Sequence, residues 1–310
     1  MSDLDSYGWS HAALIGVYLT MLLASVWVLI KSSGQIMERT IFHVFFFLGC
    51  SAKIISFVLY ILIIDDIKHI DINGNLVYLL TTAPSFLYLT VYSVVLLKCI
   101  DVYQILSFHS LYRDITKKKI LIIFAICTTL FYLSLSILFI LDFKLYPEPK
   151  ASVNSPVSKI QIVIQILDAS IYILASIGFF FYMYYFYTKY YSEIEGKFKY
   201  EYQTKFYKRV IAVILSTFVA FILRSPFVIL SIFFPLDVWW KDVVYYGLFE
   251  CLPLSLLLYV WQLIIKFLKQ QSRNSVEGLE NPTTADTLDK NDNFKTPLIK
   301  KPNAKTKLLS

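Results

Sequence analysis

Charge is scarce in this sequence. Only 16% of its 310 residues are Asp, Glu, Lys or Arg, where a soluble domain carries about 25%. Glycine numbers nine, and no phosphate-loop or dinucleotide motif occurs. The four histidines are His11, His43, His69 and His109. Only His43 falls well inside an apolar segment, so the several imidazoles that a membrane-embedded zinc hydrolase needs are missing. Neither Gly-x-Ser-Gly nor Gly-x-Gly-Asp is present, which removes the intramembrane serine and aspartyl proteases. Cys50, Cys99, Cys127 and Cys251 all fall in or beside apolar segments, so no structural disulfide is expected. Asn154-Ser155-Pro156 has the wrong third residue for N-glycosylation, and Asn281-Pro282 has the excluded proline. These absences point away from an enzyme and imply no cofactor and no nucleic-acid partner.

What is present is hydrocarbon. Residues of the hydrophobic class make up 57% of the chain and aromatics 17%. A spanning helix needs about 20 apolar residues. Seven stretches meet that length, at about 9–31, 40–64, 76–98, 119–141, 160–187, 207–234 and 242–266. The expected fold is therefore all-α: a polytopic membrane protein built as a bundle of seven transmembrane helices. Its expected divisions are a short N-terminus over 1–8, the helical domain over 9–268 and a basic tail over 269–310. That tail holds Phe294 as its only aromatic and should be disordered, because it cannot bury enough apolar area to fold. Residues 1–8 carry Asp3 and Asp5 and no basic residue, so the first segment is expected to stay as an anchor.

The basic residues set the orientation. The segments at 31–39, 98–119, 188–209 and beyond 265 hold 22 of the 29 Lys and Arg, and the opposite loops hold five. Basic residues concentrate on the cytoplasmic side. The N-terminus is expected outside or in a lumen, and the C-terminus in the cytoplasm. Bilayer lipid is the first partner implied.

The two remaining basic residues, Lys53 and Arg224, lie inside apolar segments. At about 1.5 Å per residue, Arg224 sits roughly 15 Å below the outer end of helix six, and Glu250 roughly 12 Å into helix seven. The connection "PLDVWWKD" is short, and both residues stand thirteen positions from its centre near 237. An ion pair between them is expected. Lys53 and Asp168 reach the same depth, roughly 12–17 Å. A mid-membrane charge costs at least about 2.5 kcal/mol and turns to the bundle interior. Two positive and two negative groups at one level suggest a shared polar layer, read either as a clasp or as a ligand, ion or proton site. Pro84, Pro226 and Pro253 stand inside the segments and are expected to kink helices three, six and seven.

Helices one to three and five to seven can also be laid over each other as a 3+1+3 repeat. Lys53 then answers Arg224, Pro84 answers Pro253, and Lys98 answers Lys266, in register to within three residues. This opens a small-solute transporter as an alternative. A ligand-activated, G-protein-coupled-receptor-like protein is another. Against it, helix three gives Asp101-Val102-Tyr103 in place of Asp-Arg-Tyr, and helix seven gives Cys251-Leu252-Pro253 in place of Asn-Pro-x-x-Tyr. No lysine stands midway along helix seven for retinal, Lys266 being at its end.

Three stretches carry a family resemblance: "PSFLYLTVYSVVLLKCIDVYQ", "FVAFILRSPF" and "DVVYYGLFECLPLSLLLYV". With Pro84, Tyr92, Asp101, Tyr103, Arg224, Tyr245, Tyr246, Glu250 and Pro253, and a basic Lys53 in helix two, the chain resembles the tobamovirus multiplication protein family of plants, related to animal lysosomal orphan-receptor-like proteins. The resemblance implies seven helices in a vacuolar, lysosomal or other endomembrane, with the plasma membrane as the alternative. It implies a scaffold or regulator that recruits cytoplasmic proteins, small GTPases of the Arf-like or Rag kind among them. It brings no enzymatic activity. The expected docking surfaces are the segments after helices three and five, and the tail.

Overall fold

A computed structural model describes residues 6–31, 36–64, 73–107, 110–147, 158–189, 201–233 and 239–280. Every described element is helical: α1 Ser6–Lys31, α2 Ile36–Ile64, α3 Gly74–Ser107, α4 Ser110–Leu145, α5 Lys159–Lys189, α6 Glu201–Phe233, the short α7 Trp239–Asp242, a π-helical segment Val243–Cys251, and α8 Leu252–Glu280. The last three run on as one seventh span, and seven helices in all are long and apolar enough to cross a membrane. The chain divides into two units, Met1–Phe267 and Leu268–Ser310.

Local chemistry explains where helices start and stop. Asn73 caps α3, its side-chain oxygen accepting the Leu76 N–H at 3.1 Å. At α5, the Ser158 hydroxyl accepts the Gln161 N–H at 3.0 Å, and the Gln161 side chain accepts the Ser158 N–H at 3.2 Å. This reciprocal capping box satisfies two end groups at once. Pro147 follows the end of α4, where a helix cannot continue.

Three expectations need correction. The segment 98–119, expected as a loop, is largely helix: α3 runs to Ser107 and α4 begins at Ser110. No Gly or Pro occurs between Pro84 and Pro147, so neither helix meets a strong helix breaker along these described stretches. The tail expected to be disordered from 269 begins as helix, because α8 continues to Glu280. Its Lys, Gln, Arg and Glu are good helix formers, and the helix stops two residues before Pro282. Residues 281–310 lie outside the described ones. So do residues 190–200 of the expected loop 188–209, whose remaining parts are helix, α5 running to Lys189 and α6 beginning at Glu201. Finally, helix seven is not a plain α-helix kinked at Pro253. Nine residues of π-helix end just before that proline, and the Leu252 N–H reaches back five residues to the Gly247 carbonyl. Proline cannot donate, and its ring crowds the carbonyl four residues back; the wider turn accommodates this. Pro84 and Pro226 sit inside α3 and α6, which continue past them.

Burial separates the helices. Of α3's spanning stretch 61% is buried, and of α4's only 6%, so α3 is central and α4 peripheral. On α4, Leu135, Phe139 and Asp142 turn inward, while Ile122, Ile126, Leu130, Leu133, Ile137 and Ile140 form an exposed apolar face. Such a face fits hydrocarbon, not water. Phe221 of α6 sits at a focus of rings, in edge-to-face contact with Tyr92, Tyr172 and Phe179 at centre-to-centre distances of 4.7, 4.8 and 5.7 Å. Between α2 and α3 the approach is close: a Cβ on Gly49 would lie 2.5 Å from the Tyr88 ring, so only glycine fits.

Candidate functional site

The four expected charges meet inside the bundle. Lys53 of α2, Arg224 of α6 and Glu250 of the π-helical segment are each 1% exposed, and Asp168 of α5 is 4% exposed. Arg224 Nη1 donates to Glu250 Oε2 at 3.2 Å. Lys53 Nζ lies 3.6 Å from Glu250 Oε1, and Arg224 Nη2 lies 3.6 Å from Asp168 Oδ2. The result is an alternating row, Lys53–Glu250–Arg224–Asp168, that joins four helices. Removal of charge from water is costly; each charge here faces an opposite one.

Side chains and carbonyls that sequence reasoning missed complete the row. Tyr18 of α1 donates its hydroxyl to Glu250 Oε1 at 2.5 Å, the short distance of a charge-assisted bond. Arg224 Nη2 donates to Ser85 Oγ at 2.7 Å. Lys53 Nζ donates to the Thr81 carbonyl at 2.7 Å. Tyr172 donates to the Ser85 carbonyl at 2.8 Å, and its ring lies 4.1 Å from the Arg224 guanidinium. Thr81 and Ser85 flank Pro84, whose missing N–H leaves the Leu80 carbonyl without its helical donor and loosens the ladder around it. The proline thus sits where α3's backbone faces side-chain donors from α2 and α5. Its neighbour Ser85 signals this in the sequence; Tyr18 and Tyr172 do not stand out from 23 tyrosines.

The π-helical winding places the tyrosine pair. With i→i+5 bonding, residues four and five apart lie nearly above one another. Tyr245 and Tyr246 are five and four residues before Glu250, so both rings share its face. The Tyr246 ring carries Lys53 Nζ at 4.2 Å, and the Tyr245 ring lies 5.1 Å from the Arg224 guanidinium. Cation–π contact spreads the two charges further. Tyr92 is buried against Phe221. Asp101 and Tyr103 lie on the helical backbone of α3, and their side chains fall outside the described residues.

A second polar cluster was not foreseen. Asp142 of α4 is 1% exposed. Its Oδ1 accepts the Ser158 hydroxyl at 2.5 Å, and its Oδ2 accepts Gln161 Nε2 and Asn75 Nδ2, each at 3.1 Å. It ties α3, α4 and the capping box of α5 with neutral donors. Among the described residues no group of three or more His, Cys, Asp and Glu could hold a metal ion.

Seven spanning-length helices, a lipid-facing apolar surface and a charge row turned inward define an integral, multi-pass membrane protein. No family model, curated protein or solved structure matches the chain.

Proposed function

We propose that the chain is a seven-helix regulator of an endomembrane, vacuolar or lysosomal, that recruits cytoplasmic proteins such as small GTPases. In this reading the N-terminus is lumenal, the C-terminus is cytoplasmic, and the charge row is a clasp that fixes the register of the helices. The observation that carries it is the closure of the row: two cations and two anions neutralise one another with at most 4% exposure. The sequence resemblance and the bias of basic residues supply the compartment and the orientation. Proximity labelling from the C-terminal tail tests the reading, repeated with the segments 98–119 and 188–209 exchanged for unrelated basic sequence. Cytoplasmic partners that vanish with the exchange support it; an unchanged partner set refutes it.

One observation favours the transporter as a second reading. Asp168 Oδ1, Arg224 Nε and the Tyr92 hydroxyl are buried without a hydrogen-bond partner among the described residues, beside a π-helical segment. Buried orphan groups and π-turns gather at functional sites. Lys53 and Arg224, which correspond in the 3+1+3 alignment, both meet Glu250. Solute flux in reconstituted vesicles that is lost in Glu250→Gln protein shown to be folded would support this reading; a broad solute panel with no flux would remove it.

A further inference from the structure

A groove of about 440 Å³ opens between α1 and α2, away from the charge row. Its walls are Val26 of α1 and Val44, Phe47 and Leu48 of α2, all more than a third exposed. One end is different. There Arg39 and Thr40 line the groove, with Ser25 and His43 as its floor. Ser25 Oγ and His43 Nδ1 are 2.9 Å apart and both residues are buried, which fixes the two helices at this point.

We propose that this groove binds an anionic phospholipid, with the headgroup phosphate at Arg39 and one acyl chain along Val44 to Leu48. Three observations lead there. The first is depth. Arg39 is the second residue of the spanning stretch Glu38–Ile63, so its guanidinium stands at the membrane edge, where lipid phosphates lie. The second is length. Arg39 to Leu48 covers about 14 Å along the helix, close to half of a roughly 30 Å hydrocarbon core. The groove therefore matches one leaflet's chain and not a small solute. The third is charge. The Glu38 carboxylate beside Arg39 is paired with Lys98, so the basic groups here outnumber the acid. Lys31, its ammonium 4.6 Å from the Trp27 ring, brings another cation to the same end of α1. A planar, forked guanidinium suits phosphate oxygens, and the apolar walls suit hydrocarbon.

The test is native mass spectrometry of the full chain in detergent micelles, titrated with phosphatidylserine, with phosphatidylcholine of the same chains, and with inorganic phosphate. The serine lipid is expected to be retained about fivefold over the choline lipid, as one basic residue at a membrane surface provides. Inorganic phosphate alone should not be retained; its retention without a lipid preference would mean a bare anion site and overturn the proposal. Arg39→Gln is expected to remove the preference and Arg39→Lys to keep it. Leu48→Trp fills the groove without touching a charge and is expected to lower retention of both lipids. A preference that survives Arg39→Gln in folded protein, or retention that survives Leu48→Trp, overturns the assignment. If Arg39→Gln does not fold, Leu48→Trp alone decides.

Discussion

Glu250 and Asp142 are both carboxylates at 1% exposure, and the chain treats them in opposite ways. Glu250 lies ten residues into the seventh span Trp240–Gln270, roughly 15 Å deep by helical rise. It faces two cations and one hydroxyl. Asp142 lies three residues from the end of α4, roughly 5 Å from it. It faces a hydroxyl and two amides and, among the described residues, no cation. Neutral donors suffice close to a helix end, where water and headgroups lie near. In the middle of the bundle the negative charge is met by positive charge. The difference predicts that the two sites fail differently when altered.

The largest effect should come from breaking the row at its most connected member. Glu250→Leu leaves Lys53 and Arg224 facing each other across the bundle without the anion between them. Loss of one partner from a buried pair costs about 3–5 kcal/mol. Unfolding in mixed detergent–SDS micelles measures this, and a failure to accumulate folded protein is the extreme form. The companion variant replaces Lys53, Asp168, Arg224 and Glu250 together by Met, Leu, Met and Leu. A clasp is expected to tolerate this far better than the single change, since apolar packing can replace a closed ion network. If the fourfold variant folds yet loses the proximity-labelled partners, the row does more than hold helices.

A smaller loss is expected for Tyr18→Phe. It removes the hydroxyl from Glu250 Oε1 but leaves Lys53 and Arg224 in place. A hydrogen bond to a charged group contributes about 1.5–3 kcal/mol in soluble proteins, and membrane values run lower, so about 1–2 kcal/mol is expected. The same SDS titration reads it. A loss equal to that of Glu250→Leu would mean that α1 docks only through this bond.

Much of the row is legible in the sequence. Helical rise alone puts Lys53, Asp168, Arg224 and Glu250 at one depth, because membrane helices run nearly parallel and their apolar lengths fix their ends. Rotation about each helix axis is not legible there, and the order Lys53–Glu250–Arg224–Asp168 depends on rotation. The π-helical winding is hidden for the same reason: it changes the angular step between residues, while composition and length stay those of an α-helix. Pro253 flags the place but not the form. Tyr18 and Tyr172 are hidden by abundance. Asp142 is hidden by position, since an acid near a helix end ordinarily faces water. The helical course of 98–107 and 110–119 is obscured by charge, although the lack of Gly and Pro is there to read.

Ser158→Ala should cost less than either change in the row, about 1 kcal/mol for the lost cap. Ser158 caps α5 and also donates to Asp142 Oδ1. The readout is the thermal transition followed with a thiol-reactive dye, because Cys50, Cys99 and Cys251 are buried and react on unfolding. A downward shift is expected, and a shift as large as that of Glu250→Leu would make the Asp142 cluster the stronger clasp.

The smallest effect is expected for Asp142→Asn, and it separates the two sites most sharply. The asparagine carbonyl can take the place of Oδ2 and keep the bonds from Gln161 Nε2 and Asn75 Nδ2. Its amide then faces Ser158 Oγ, and a hydroxyl can accept as well as donate. A rotated Ser158 hydroxyl restores the contact, so the cost is expected below about 1 kcal/mol. Glu250→Gln has only part of that remedy. An amide turned toward the Tyr18 hydroxyl finds an acceptor there but also faces Lys53, the other orientation faces Arg224, and neither cation has an acceptor. The dye transition is therefore expected to move little for Asp142→Asn and strongly downward for Glu250→Gln. Equal shifts would show that neither depth nor the charge of the partners separates the two carboxylates.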